Sequence, residues 1–134
     1  WAGLLPEKDL EYFVYKPVKS LVDFIKQKKS ISICFPRNIN DYKKFVEIVN
    51  PDVISIDYNT DPSKIRDTID ITVQGGLDPK ILLQNKDIVK NEVTKYLKTF
   101  DKKRYIFNLG HGVLPETNPD MVKHLVDIVR SFNG

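Results

Sequence analysis

Residues 53–76, VISIDYNTDPSKIRDTIDITVQGG, decide the fold of this chain. Val53 to Asp57 opens on a near-continuous apolar run, with no polar alternation. Asp61-Pro62 then offers a side-chain acceptor followed by a residue with no N–H to satisfy, the pairing that opens a helix, here running to about Thr68. A second run, Asp70 to Gln74, ends on paired glycines. Strand, short helix and strand make a βαβ unit. Strands that do not alternate are those covered on both faces, as in a parallel sheet flanked by helices.

The same alternation extends outward. From Pro6 to about Lys28, Leu10, Phe13, Val14, Val18, Leu21, Val22 and Ile25 recur at three and four, predicting a helix bent or restarted at Pro17. A strand is predicted over Ser30–Phe35 and a helix over Asn40–Val49 with Tyr42, Phe45, Val46 and Val49 on one face, closed by Asn50-Pro51. Beyond the central unit, Asp78-Pro79 opens a mostly helical stretch to Phe100 whose buried stripe is Ile88, Val89, Val93, Tyr96 and Leu97. Strand Tyr105–Leu109 follows, and Thr117-Asn118-Pro119-Asp120 opens a last helix with Val122, Leu125, Val126 and Val129 inward, ending at Asn133-Gly134. The predicted fold is parallel α/β, one helix followed by four strand–helix units. In a doubly wound sheet or a (β/α)8 barrel, functional groups gather in the loops after the strands. Those loops are Pro36–Asn38, Tyr58–Thr60, Gly75–Asp78 and Gly110–Gly112.

Composition narrows the function classes. With 134 residues, 41% hydrophobic and 29% charged, the chain can bury one core and is too apolar for intrinsic disorder. Its apolar runs fall short of the ~20 residues of a membrane-spanning helix, and the amino terminus lacks a signal-peptide layout. A single cysteine, Cys34, closes no intrachain disulfide, and no Cys/His cluster has metal-ligand spacing, which fits a reducing compartment. The net charge of +3 comes from 17 Lys and only four Arg, alongside 14 Ile and a single Ala. That is compositional bias rather than a nucleic-acid surface, since base and phosphate recognition favour arginine forks. The densest runs, Lys26-Gln-Lys-Lys29 and Lys102-Lys-Arg104, sit just past predicted helix ends, where positive charge complements the helix terminus. The chain opens on Trp1 and its sole methionine is Met121, so a piece of something longer is expected.

Among candidate residues, His111 leads. It is a titratable ring at a strand's carboxyl end between Gly110 and Gly112, residues that let the backbone bend and approach a ligand. His124 lies mid-helix among charged neighbours and reads as surface. Gln74-Gly75-Gly76 lacks either phosphate-loop pattern, so no nucleotide cofactor is expected and the glycines read as turn formers. Asp57 reads as a carboxylate capping the neighbouring loop's amides, with a base or ligand as the other option. Arg37 reaches the same face as either an anion clamp or a solvated arginine. Cys34, inside an apolar strand, reads as buried and inert.

The residues also resemble a family. Val73-Gln-Gly-Gly-Leu-Asp-Pro79, Tyr105-Ile-Phe-Asn-Leu-Gly-His-Gly-Val-Leu-Pro115 with Glu116-Thr117, and the opening Trp1-Ala-Gly3 are similar to the carboxyl-terminal half of uroporphyrinogen decarboxylase. Supporting matches run from Phe13-Val14 to Pro17 and from Val53 to Asp57, so the resemblance spans the chain. It implies a (β/α)8 TIM barrel whose last four or so strand–helix units are residues 1–134. It also implies an enzyme, a carboxy-lyase that removes the carboxyl groups of the four acetate side chains of uroporphyrinogen III to give coproporphyrinogen III in haem and porphyrin biosynthesis, without metal or other cofactor.

By the same resemblance the whole enzyme is a cytoplasmic homodimer whose partners are uroporphyrinogen III and its partly decarboxylated intermediates, with no nucleic acid or membrane, and this fragment alone is inactive. His111 matches the substrate-binding histidine. The family's central aspartate, its arginines and its tyrosine belong to the earlier half, which leaves no catalytic residue here. Gly76 stands where the family usually has Asn, Pro36-Arg37 where Lys-Gly is more usual, and Tyr58 where Trp is common. Two other readings are a non-catalytic half-barrel assembly module, whose open sheet edges favour pairing, and a related barrel methyltransferase without its zinc site, since Cys34 alone cannot supply it.

Overall fold

The computed structural model describes residues 1–100 and 104–132. A 3-10 turn at Ala2–Leu4 leads into α1 (Glu7–Leu10), a π-helical segment over Glu11–Tyr15 and α2 (Lys16–Gln27). Then come β1 (Ile33–Cys34), α3 (Tyr42–Val49), β2 (Val53–Ile56), α4 (Pro62–Thr68) and β3 (Thr72–Gly75). A 3-10 helix at Pro79–Leu83 precedes α5 (Lys86–Thr99), β4 (Tyr105–Ile106) and α6 (Pro119–Ser131). The strands form one sheet in the order β1-β2-β3-β4, every pairing parallel. Each strand lies beside the next one in the chain and is reached through a helix. That sequential order is the layout of consecutive barrel units, whereas a doubly wound sheet reverses direction.

Helix starts follow the sequence closely. Asp41, Asp61, Asp78, Asn85 and Asn118 each accept a backbone N–H of the turn they open. Asn85 restarts the chain after the 3-10 turn, so the stretch expected to be mostly helical from Pro79 to Phe100 is two helices with a break between them. At Pro17 the expected restart takes the form of a change of helix type, with α2 beginning at Lys16 and Pro17 in its first turn. Pro17 cannot donate to the Phe13 carbonyl and its ring would crowd it. The helix widens just upstream instead, with Lys16 N–H bonded to the Glu11 carbonyl, and runs on.

Strand pairing sorts the sheet into two faces. Cys34, Ile54, Val73 and Tyr105 share one register row. Ile54 and Val73 there are buried against helices, in a core with Tyr15, Phe45, Val89, Val93 and Leu125. Ser55, Gln74 and Ile106 share a row on the opposite face. Burial on both faces, expected of all four strands, holds fully for β2 alone, because Ile33 and Ile106 are 52% and 42% exposed. Nothing among the described residues covers the opposite face at the outer strands, and those strands shrink from the expected Ser30–Phe35 and Tyr105–Leu109 to two residues each. An isolated bridge, Leu77 with Leu109, continues the pairing beyond β4.

In the first helix Leu10 and Val22 are buried and Val14 and Val18 pack against the core, but Phe13 and Leu21 stay exposed. The apolar repeat there covers two faces, and only one meets this core. Lys26 and Lys28 lie in or next to the last turn of α2, as the charge pattern implies. Lys102, Lys103 and the expected Asn133-Gly134 terminus lie outside the described residues. Arg104 pairs with Asp70.

Candidate functional site

All four loops after the strands lie at one end of the sheet, and two of them, those after β1 and β4, contribute to a cleft of about 440 Å³. Ile33, Phe35, Ser55, Gln74 and Asn108 supply its floor from the face away from the helices, and Arg37, Leu109, Gly110, His111 and Gly112 its rim, with Trp1 at one side. Ile33, Ser55 and Gln74 are inward positions of the strands, as in a barrel whose interior residues alternate with helix-facing ones. The cleft lining holds one histidine, one arginine, three short polar side chains and no carboxylate. Anions with apolar bodies match that chemistry.

His111 is exposed at the cleft rim just past β4. Neither neighbouring glycine has a left-handed backbone, so sharp bending is not what they supply. A Cβ on Gly110 would lie about 3.0 Å from Tyr58 Cα and closer still to Tyr58 N, so only glycine lets the loop after β4 pass the loop after β2. Gly110 N–H also bonds the Leu77 carbonyl at 2.8 Å, so three loops are tied together at the base of His111. Gly112 faces open space.

Gly75 and Gly76 are the left-handed residues of the cluster, with φ of 85° and 101°, and they turn the chain as expected. Their carbonyls accept the hydroxyls of Tyr105 and Tyr96, both at 2.7 Å. Burial pushes both hydroxyl pKa values up, that of Tyr96 to about 12 with help from the Glu92 charge, so both remain donors.

Asp57 is 1% exposed and saturated. Its Oδ2 accepts Asn38 N–H at 2.8 Å and the Tyr42 hydroxyl at 3.0 Å, and its Oδ1 accepts Asn59 N–H at 2.9 Å and the Thr60 hydroxyl at 3.3 Å. The capping reading holds, and Asp57 lies beneath the cleft rather than in it. Burial raises the Tyr42 pKa, and the Asp57 charge adds to this. Arg37 reaches the cleft with its guanidinium 3.5 Å from the Trp1 ring centroid.

The remaining candidates fall outside the cleft. Cys34 is half-buried rather than fully buried and points to the helix side, beside Phe13, Val14 and Val18. Desolvation raises its pKa, with a smaller contribution from Asp52, which keeps the thiol protonated. Its direction takes it away from any site His111 could share. His124 is half-buried and lies 3.3 Å from the Lys86 carbonyl, tying α6 to α5. Trp1, Ser55 and Asn108 are cleft residues that residue-by-residue reading passed over. The signal lay in register, because Ser55 and Gln74 are polar residues in apolar strands that pair directly.

Among the described residues no group of three or more His, Cys, Asp or Glu is placed to hold a metal ion, and no helix is long and apolar enough to cross a membrane.

Comparison with known proteins meets this geometry from another side. The family model for uroporphyrinogen decarboxylase (URO-D) matches residues 1–132. Uroporphyrinogen decarboxylase of Rickettsia bellii (strain RML369-C) is 43% identical over 98% of this chain and 40% of its own length. The Rickettsia felis protein of that name is 40% identical over 98% of the chain and 39% of its length, and the Rickettsia akari one 38% identical over 98% and 40%. The chain thus spans about two fifths of the length of these relatives, as a carboxyl-terminal portion of a (β/α)8 barrel does when it carries four of the strands. On the family match over 132 of its residues, the chain belongs to the uroporphyrinogen decarboxylase family.

Proposed function

We propose that this chain is the carboxyl-terminal wall of a uroporphyrinogen decarboxylase, and that His111 binds a carboxylate of the substrate. The observation that carries the reading is the cleft itself. It lies where the strands end, has apolar floor residues for a pyrrole ring, and presents His111 and Arg37 but no acidic side chain to a substrate with eight carboxylates. In the reaction a pyrrole carbon is protonated, the neighbouring acetate loses its carboxyl group as carbon dioxide, and the methyl group forms as the ring carbon gives up its proton. Each acetate consumes one proton overall. Such chemistry asks the protein for fixed charges and exclusion of water. The imidazole of His111 donates a hydrogen bond to a carboxylate at the rim, while Ile33, Phe35 and Leu109 line the apolar body of the cleft.

On this reading the remaining three fifths supply the groups that act on the reacting ring, the complete protein is a cytoplasmic homodimer, and this chain alone does not turn over substrate. The test is a graft in which residues 1–134 replace the matching segment of the Rickettsia bellii protein. The graft is expected to convert uroporphyrinogen III to coproporphyrinogen III, assayed by chromatography of the oxidised porphyrins. His111→Ala should raise KM about tenfold or more, the loss of one charge-assisted hydrogen bond. A graft that melts cooperatively yet makes no coproporphyrinogen refutes the function, and an unchanged KM in His111→Ala refutes the role of the histidine.

A further inference from the structure

The loop after β1 is built at a cost that its own packing does not explain. Arg37 and Asn38 are consecutive left-handed residues, with φ of 45° and 56°, and neither is glycine. Such strain persists only where the surroundings over-determine it, and it gathers at ligand sites. The surroundings here are specific. Ala2 N–H bonds the Pro36 carbonyl and Gly3 N–H the Arg37 carbonyl, both at 3.0 Å, and Asp57 Oδ2 holds Asn38 N–H from below. Gly3 permits the approach, because a Cβ there would collide with the Asn38 carbonyl.

The effect of this clamp is to deliver one side chain. The guanidinium of Arg37 lies on the Trp1 ring, which gives it a fixed plane without a charged partner. Its Nε is buried with nothing to bond. Among the described residues Arg37 forms no ion pair, and no carboxylate lines the cleft it faces. An arginine held flat on an aromatic ring, with its charge uncompensated and its edge toward a cavity, is preorganised for a planar anion. His111 lines the same cleft from the opposite edge of the sheet, on the loop after β4.

We propose that Arg37 is a second carboxylate-binding residue of the cleft, stacked on Trp1 so that it takes one carboxylate of the porphyrinogen while His111 takes another. The assignment rests on the proposed function and adds to it a residue pair, Trp1 and Arg37, that positions the substrate from the β1 side. Arg37 touches substrate and Trp1 acts through Arg37. Neither performs the decarboxylation.

In the graft described above, Arg37→Gln should raise KM for uroporphyrinogen III about tenfold while kcat stays within about twofold, because the interaction is with the bound carboxylate and not with the reacting ring. The dissociation constant for uroporphyrin III, the oxidised octacarboxylate, read by quenching of porphyrin fluorescence, should rise in parallel. Arg37→Lys keeps the charge but loses fork and stack and should recover less than half of the loss in free-energy terms. Trp1→Leu should raise KM several-fold with Arg37 present and have little further effect in Arg37→Gln. Added salt should weaken uroporphyrin binding less steeply in Arg37→Gln than in the parent.

Unchanged KM and porphyrin affinity in Arg37→Gln, with His111→Ala impaired, overturns the assignment and leaves the proposed function standing. A fall in kcat at constant KM overturns it as well. If the folded graft fails to turn over uroporphyrinogen III, the proposed function falls, and porphyrin binding by parent and Arg37→Gln still decides whether Arg37 is an anion site.

Discussion

Replacing Asp57 by Asn removes one negative charge and almost no volume, which makes it a sharp probe of the loop scaffold. The carboxylate accepts two donors on each oxygen. An amide has one oxygen, so one pair of donors must face an NH2 group. If the amide nitrogen takes the Oδ2 position, the Tyr42 hydroxyl can rotate and accept, but the Asn38 N–H cannot reverse. If it takes the Oδ1 position, Thr60 can adapt and the Asn59 N–H cannot. Either way one backbone N–H loses its acceptor at a site that is 1% exposed. A buried orphan donor costs about 1–3 kcal/mol, and the surviving bonds lose their charge assistance, so the expected loss of stability is about 3 kcal/mol.

The assay is urea unfolding of the grafted barrel followed by circular dichroism, with Asp57→Asn set against the parent. If the amide turns to release Asn38, the strained pair Arg37–Asn38 relaxes with it, and KM rises toward the Arg37→Gln value. The double variant should then bind little worse than either single one. A loss below about 0.5 kcal/mol, within the range of an ordinary surface substitution, would refute the reasoning that Asp57 is the keystone joining the loops after β1 and β2 to α3.

Two further outcomes follow from the same loops. Gly110→Ala places a methyl group into the Tyr58 backbone, so it should cost about 1–3 kcal/mol and displace His111, raising KM as well; parental melting and parental KM together would show that the loop after β2 gives way freely. The raised pKa of Tyr96 carries a definite sign. Its folded value of about 12 lies above the ordinary tyrosine value of 10.0, so the stability it confers is complete below pH 10 and is lost as pH climbs from 10 toward 12. In that window each such tyrosine removes about 1.4 kcal/mol per pH unit, and Tyr96→Phe should flatten the alkaline limb of a stability–pH curve while losing the bond to the Gly76 carbonyl. An alkaline limb identical in the two proteins would mean that Tyr96 titrates normally.

The architecture could be read from residues because each signal was local. Asp61-Pro62 and Asp78-Pro79 open helices through contacts spanning two residues, the strand core Val53–Ile56 declares itself by apolar density, and β3 by the β-branched run Ile71-Thr72-Val73. Strand ends were less legible, since the outer strands stop where a neighbour stops pairing with them, and no feature of Ser30–Phe35 or Tyr105–Leu109 encodes that. The two exposed residues Phe13 and Leu21 misled for a related reason, because hydrophobic spacing reports that a face is apolar and not which partner covers it. Within the site, His111 stood out by its flanking glycines, although Gly110 is required by the close approach of Tyr58 and Gly112 by nothing among the described residues. The pairing of Trp1 with Arg37 was out of reach, as it joins positions far apart in sequence through backbone bonds that leave no pattern.

The wide turn at Glu11–Tyr15 also has a mechanical consequence. Leu10, Val14, Val18 and Val22 repeat every fourth residue, and on a regular α-helix each such step overshoots a full turn by about 40°, so the row would wind off the core within three steps. A segment bonded at i→i+5 turns less per residue and winds the row back, which is why Leu10 and Val22 end up on the same buried line. The helix thereby acts as a phase adjuster for what precedes it. The segment that it feeds, Trp1–Gly3, is the one bonded along the loop after β1 through Ala2 and Gly3, so a change in the wide turn would be felt at Arg37.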